Sequence, residues 1–105
     1  MGDRLKEKVA LVSGAGSSGP GWGNGKATAV LFAREGAKVV AADINLDAAL
    51  ETKRIIEADG GICEAVSGDV SRGDDVASIA RACIEAFGRI DVLHNNVGIV
   101  AVGAP

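Results

Sequence analysis

The residues with the greatest chemical promise are a crowd of glycines and one distant acid. The glycine-dense stretch reads Ser13-Gly14-Ala15-Gly16-Ser17-Ser18-Gly19-Pro20-Gly21-Trp22-Gly23-Asn24-Gly25. An apolar run, Val9-Ala10-Leu11-Val12, precedes it, and a second run, Val39-Val40-Ala41-Ala42, ends in Asp43. Strand, glycine turn, helix, strand and acid, in that order, suit a dinucleotide. Glycine lets the backbone approach a pyrophosphate, and the helix that follows offers free N–H groups and the positive end of its dipole. An acid about 20 residues further on can accept hydrogen bonds from a ribose diol. The bland alternative for Asp43 is a solvated turn acid.

The glycines admit three registers. Gly14-Ala15-Gly16-Ser17-Ser18-Gly19 is a literal G-x-G-x-x-G, but it forces Pro20, Gly21, Gly23 and Gly25 into a helix, at about 1 kcal/mol for each interior glycine. Gly19 to Gly25 is a literal G-x-x-x-G-x-G, yet leaves an unexplained gap after the strand. The third register joins Gly14 at the strand to Gly23 and Gly25 at the helix and treats the middle as a lengthened loop. That third register is adopted. Gly25-Lys26 also hints at a P-loop, the weaker nucleotide-binding reading, because Pro20 fills the first glycine position and Ala27 the Ser/Thr position.

Other chemistries find less support. One histidine and two distant cysteines give no metal-ligand spacing. Cys63 and Cys83 lie in apolar surroundings and read as reduced core thiols. His94 sits in a buried strand ending with no partner acid or nucleophile beside it, so a structural role is expected. The net charge of −3, with acids and bases interspersed, gives no basic face for nucleic acid. No run approaches a membrane span, the mixed-charge N-terminus is not a signal peptide, and Lys6 spoils the myristoylation pattern begun by Met1-Gly2. A cytoplasmic address is expected.

The elements that must position these residues follow from periodicity. Residues 8–13 read as a buried strand and 25–36 as a helix carrying Ala27, Val30 and Leu31, stopped by Gly36. Residues 38–43 form a second strand. A helix capped by Asn45 or Asp47 runs to about Asp59, with Leu46, Ala49, Leu50 and Ile56 on its apolar face. Residues 62–66 make a weaker strand, interrupted by Glu64. Ser71 is a plausible cap for a third helix whose face is Val76, Ile79, Ala80, Cys83 and Phe87, ended by Gly88. Residues 91–94 are a fourth strand. Alternating buried strands and amphipathic helices predict an α/β fold: a Rossmann-type, doubly wound parallel sheet, incomplete at four strands, in the order 3-2-1-4. Ligand is expected over the C-terminal strand ends, at the switch between strands 1 and 4. Two helices on one face and one on the other leave apolar surface open, so the isolated chain is expected to self-associate or to be marginally folded.

Four ordered motifs over nearly the whole chain resemble the N-terminal half of a short-chain dehydrogenase/reductase. Ser13-Gly14 stands where that family has Thr-Gly, and Gly23-Asn24-Gly25 where it has Gly-Ile-Gly. Ala41-Ala42-Asp43 resembles its second-strand ending, Gly68-Asp69-Val70 its Asp-Val, and Asn95-Asn96-Val97-Gly98 its Asn-Asn-Ala-Gly. The resemblance implies a cofactor site built from Gly14, Gly23, Asn24, Gly25, Asp43, Ile44, Asp69, Val70, Asn96 and Gly98. Asp69 would meet the adenine amino group and Val70 the ring face, while Asn96 and Gly98 lie beside the cofactor ribose. Asp69 also has the simpler reading of a helix cap.

This chain departs from the pattern in one place. Eight residues, 15–22, separate Gly14 from Gly23, where the family motif has three, and they include Pro20 and Trp22. The family's catalytic serine and its Tyr-x-x-x-Lys come after the Asn-Asn-x-Gly strand. This chain has no tyrosine, and its last lysine is Lys53. Residues 1–105 therefore read as the cofactor half of a dinucleotide-binding domain without the catalytic half, silent on its own. The implied activity of the intact protein is hydride transfer between NAD, rather than NADP, and an alcohol or ketone, in a homo-oligomer. A stand-alone dinucleotide-binding or interaction module is the alternative.

Overall fold

The computed structural model describes residues 5–15, 24–69 and 72–95, with the backbone alone for Asn24 and Asn95. The order is β1 (Val9–Ser13), α1 (Asn24–Arg34), β2 (Lys38–Asp43), α2 (Leu46–Ala58), β3 (Ile62–Ser67), α3 (Gly73–Phe87) and β4 (Val92–Asn95). The four strands form one parallel sheet in the order β3-β2-β1-β4, as the sequence pattern predicts.

β1 is central and all five of its residues are buried, because strands flank it and helices cover both of its faces. Its side chains alternate between two cores. Ala10 and Val12 join Val39, Ala41 and Cys63 beneath Ala29 and Val30 of α1 and Ile56 of α2. Val9 and Leu11 join Val40 and Ala42 against Ile79 and Cys83 of α3. α1 and α2 therefore share one face, and α3 covers the other, as right-handed crossovers require. Beside α3 an apolar groove of about 180 Å³ is lined by Leu11, Val76, Ile79, Ala80, Ile90 and Leu93.

α1 and α2 are rotated from the faces expected, whereas α3 keeps its face, with Phe87 packed against the same core. α1 buries Lys26, Ala29 and Val30, whereas Ala27 is exposed and Leu31 is 55% exposed. α2 buries Ala49, Thr52 and Ile56 and leaves Leu46 and Leu50 facing outward. α3 buries Ile79 and Cys83, with Val76 exposed at the rim of the groove. In α1 and α2 small or polar residues, Ala29, Ala49 and Thr52, share the buried stripe with Val30 and Ile56.

The caps settle two choices. Asn45 caps α2, its side chain accepting from the Ala48 N–H at 3.3 Å. α3 begins at Gly73, which puts Arg72 rather than Ser71 at the cap position, and Arg72 makes no side-chain cap bond. Ser71 lies outside the described residues. Asp75 in the first turn of α3 instead reaches back to accept from the Asp69 N–H at 2.8 Å. At the other end of α3, Gly88 takes a φ of 85° while its N–H donates to the Ile84 carbonyl at 2.7 Å. A residue with a Cβ would be strained there. β3 extends one residue past the expected Val66, because Ser67 pairs with Asp43.

Candidate cofactor site

The parallel register brings the strand ends together at one edge of the sheet. Ser13 pairs with Ala42 on one side and Asn95 on the other, and Asp43 pairs with Ser67. Gly14 follows β1 with a φ of 67°, a left-handed conformation that glycine adopts freely. The chain then enters Ala15, which is fully buried. Ala15 N donates to the Ala42 carbonyl at 3.0 Å, and Ala15 O accepts from the Thr52 hydroxyl at 2.8 Å. The glycine stretch thus leaves β1 already bonded to the end of β2 and the body of α2.

α1 starts at Asn24, next to Gly25, and no acid stands in its first turn. The dipole of that turn therefore meets no carboxylate of its own helix, which suits an incoming anion. Gly25 and Lys26 are buried there.

Asp43 closes β2 and is half-buried. Its Oδ1 accepts from the Asn45 N–H at 2.9 Å, a local turn that orients the carboxylate and leads directly into α2. Ile44 projects beside it, 71% exposed. Gly68 N donates to the Asp43 carbonyl at 3.0 Å, drawing the end of β3 to the end of β2. Asp69 follows, half-buried and tied to α3 through Asp75. So Gly14, Gly25, Asp43, Ile44 and Asp69 are gathered at one end of the sheet. Gly23, Val70, Asn96 and Gly98 lie outside the described residues, and Asn24 is placed by its backbone at the start of α1.

Residues outside this site have structural surroundings. His94 packs edge-on against Phe32 of α1, with ring centroids 6.0 Å apart. Burial pushes the Cys63 thiol up to about 12 and raises Cys83 as well. Among the described residues, no three His, Cys, Asp or Glu side chains group as a metal site. No described helix is long and apolar enough to cross a membrane. Thr52 escaped the sequence reading. Its spacing from Ala49 and Ile56, at i+3 and i−4, is the signal that places it on the buried stripe.

A family model described as short chain dehydrogenase matches residues 8–104. An uncharacterized oxidoreductase of Thermotoga maritima is 44% identical over 96 residues, which are 91% of this chain and 36% of that protein. Cyclohexanol dehydrogenase of an Acinetobacter species is 37% identical, over 95% of this chain and 38% of the relative. A crystal structure described as a short-chain dehydrogenase/reductase from Burkholderia xenovorans superposes with a TM-score of 0.86 at 45% identity, covering 98% of this chain and 41% of that one. A 7α-hydroxysteroid dehydrogenase complexed with NADH gives a TM-score of 0.80 at 37% identity, over 86% of this chain and 33% of that one. A metagenomic short-chain oxidoreductase in complex with NADP also gives 0.80, at 36% identity, over 90% of this chain and 41% of that one. The chain spans well under half the length of the relatives it matches.

Proposed function

The chain belongs to the short-chain dehydrogenase family of oxidoreductases, and from that premise we propose that it forms the NAD-binding part of an enzyme acting on an alcohol or ketone. The bound nicotinamide would supply hydride acceptance and donation; the residues of this chain bind and orient the cofactor. Gly14, Gly23, Asn24 and Gly25 serve the pyrophosphate, with the acid-free first turn of α1 as the electrostatic support. Asp43 serves the adenine ribose, with Ile44 beside it. Asp69 and Val70 flank the adenine, and Asn96 and Gly98 lie near the second ribose. With no tyrosine in the 105 residues, the family's proton-transfer step is assigned to none of them.

The observation that carries this reading is Asp43, held at the end of β2 by the Asn45 N–H, on the same sheet edge as the glycine turn. A carboxylate so placed accepts from both ribose hydroxyls and repels a 2′-phosphate. Ile44, Asn45 and Leu46 follow it, so no neighbour in sequence offers a compensating arginine. The test is calorimetric titration of NAD and NADP into the intact parent protein and its Asp43→Ala variant. Loss of a charge-assisted bond weakens NAD binding about 10–100-fold and leaves NADP unaltered or improved. Equal or tighter NADP binding by the wild type overturns the preference for NAD. Binding of neither overturns the cofactor reading.

A further inference from the structure

The hydrogen bond from Thr52 to Ala15 joins residues 37 apart in the chain, in a place no water reaches, and both residues are completely buried. A helical threonine ordinarily donates to the carbonyl one turn back. That local acceptor, Ala48 O, stands at 3.3 Å, while Ala15 O stands at 2.8 Å. The hydroxyl has one proton to give, and the shorter distance and buried setting direct it to Ala15. Ala15 is thereby held at both its polar groups, since its N–H already donates to Ala42 O at 3.0 Å.

The same helix also holds the acid. α2 is entered through Asn45, whose N–H binds Asp43 Oδ1 and whose side chain caps the helix. One rigid element thus grips Asp43 at its first turn and Ala15 near its middle. We propose that Thr52 is a positioning residue, which through the Ala15 carbonyl fixes where the glycine turn begins relative to Asp43, and so sets the distance a dinucleotide must span from pyrophosphate to ribose. The proposal rests on the cofactor reading above and deepens it. Thr52 touches no ligand itself. Valine fills the same space without the proton and removes this bond from the buried Ala15 carbonyl, so Ala15 is released from α2 while the apolar packing stays.

The experiment compares wild type, Thr52→Val and Thr52→Ser in the intact parent protein. The probes are NAD, adenosine (which has no phosphate to meet the glycine turn), and amide hydrogen exchange. Thr52→Val should weaken NAD binding about 5–30-fold, leave adenosine binding within about twofold, and speed exchange at Ala15. Thr52→Ser, which keeps the donor, should restore NAD affinity. Unchanged NAD affinity in Thr52→Val overturns the proposal, as does equal weakening of NAD and adenosine, which marks a residue that merely supports the fold. Should Thr52→Val not fold, Thr52→Ala decides by the same comparison: loss of NAD affinity with adenosine binding kept supports the clamp, and equal loss of both or no loss overturns it. If the wild type binds no dinucleotide, the cofactor reading fails, and the Ala15 exchange comparison still decides whether Thr52 fixes the turn.

Discussion

Asp91 and Val9 hold each other at the joint between the central strand and β4. Val9 N donates to Asp91 Oδ2 at 2.9 Å, and Asp91 N donates to Val9 O at 2.8 Å. The second oxygen of Asp91 accepts from the Arg89 guanidinium at 2.7 Å. One carboxylate therefore continues the sheet's hydrogen bonding a residue before β4 begins. The glycine turn leaves the opposite end of β1, so this joint steadies the sheet from the far side.

That joint makes stability sensitive to acid. The hydrogen bond from Arg89, followed by that from the Val9 N–H, holds the Asp91 carboxyl below its ordinary 3.8. A folded-state value below the unfolded one means that the folded chain binds fewer protons in this range. The contribution is therefore fully present above the unfolded value and is lost as pH falls through the lowered one. The expected outcome is a drop in melting temperature as pH falls below about 5 that is smaller in Asp91→Asn than in wild type. Parallel curves for the two proteins would show that other carboxylates carry the acid response.

Asp43 performs two tasks that substitution can separate. Its Oδ1 accepts from Asn45 N, and its charge is proposed to choose the cofactor. Asp43→Asn keeps a carbonyl acceptor for the turn and removes the charge, whereas Asp43→Ala removes both. Discrimination between NAD and NADP should collapse equally in the two variants, while thermal stability falls more in Asp43→Ala, by about 1 kcal/mol for the lost turn bond. Retained discrimination in Asp43→Asn would mean that hydrogen-bond geometry rather than charge makes the choice.

Gly68 stands against α3. A Cβ there would lie 2.7 Å from Ile79 Cδ1 and 3.0 Å from its Cγ1, and Ile79 is only 3% exposed. Gly68→Ala should destabilise by about 1–3 kcal/mol through overpacking. Ile79→Val removes the Cδ1 methyl, so the double variant should lose less than the two single changes added together. Denaturant titration of all four proteins measures the coupling. Strict additivity would show that the new methyl is accommodated by moving the β3–α3 connection instead.

The two cysteines report on local opening. With its thiol pushed up to about 12 by burial, Cys63 is thiolate only about one part in ten thousand at pH 8. Cys83, also raised by burial, packs between α3 and the sheet. Neither should react with an aromatic disulfide reagent in native buffer, and both should react in denaturant. Prompt labelling of one thiol under native conditions would locate a segment that opens below the global unfolding free energy.

The strands were legible because their apolar runs are continuous, the pattern that a parallel sheet buried on both faces imposes on Val9–Ser13 and Lys38–Asp43. The gathering of Gly14, Gly25 and Asp43 followed from strand order alone. Helix rotation was harder to read. Alanines stand on two opposite sides of α1, so Ala27 and Ala29 look alike until the sheet selects Ala29. In α2 the leucines at 46 and 50 outweigh Thr52 on any hydrophobic scale, yet Thr52 is the residue turned inward, because its hydroxyl has an acceptor there. The Asp91–Val9 joint spans 82 residues and leaves no local trace in either segment.

The central place of β1 has a further consequence for a chain still being synthesised. β1 emerges ahead of the other described strands, yet its second edge stays bare until the residues around Asp91 and β4 arrive, 82 positions later. At about 5–20 residues per second, that interval lasts roughly 4–16 s. Throughout it a strand apolar from Val9 to Val12 presents an edge of amides and carbonyls to its surroundings. The nascent protein is therefore most open to capture by a chaperone, or to mispairing with a neighbouring polysome product, at β1.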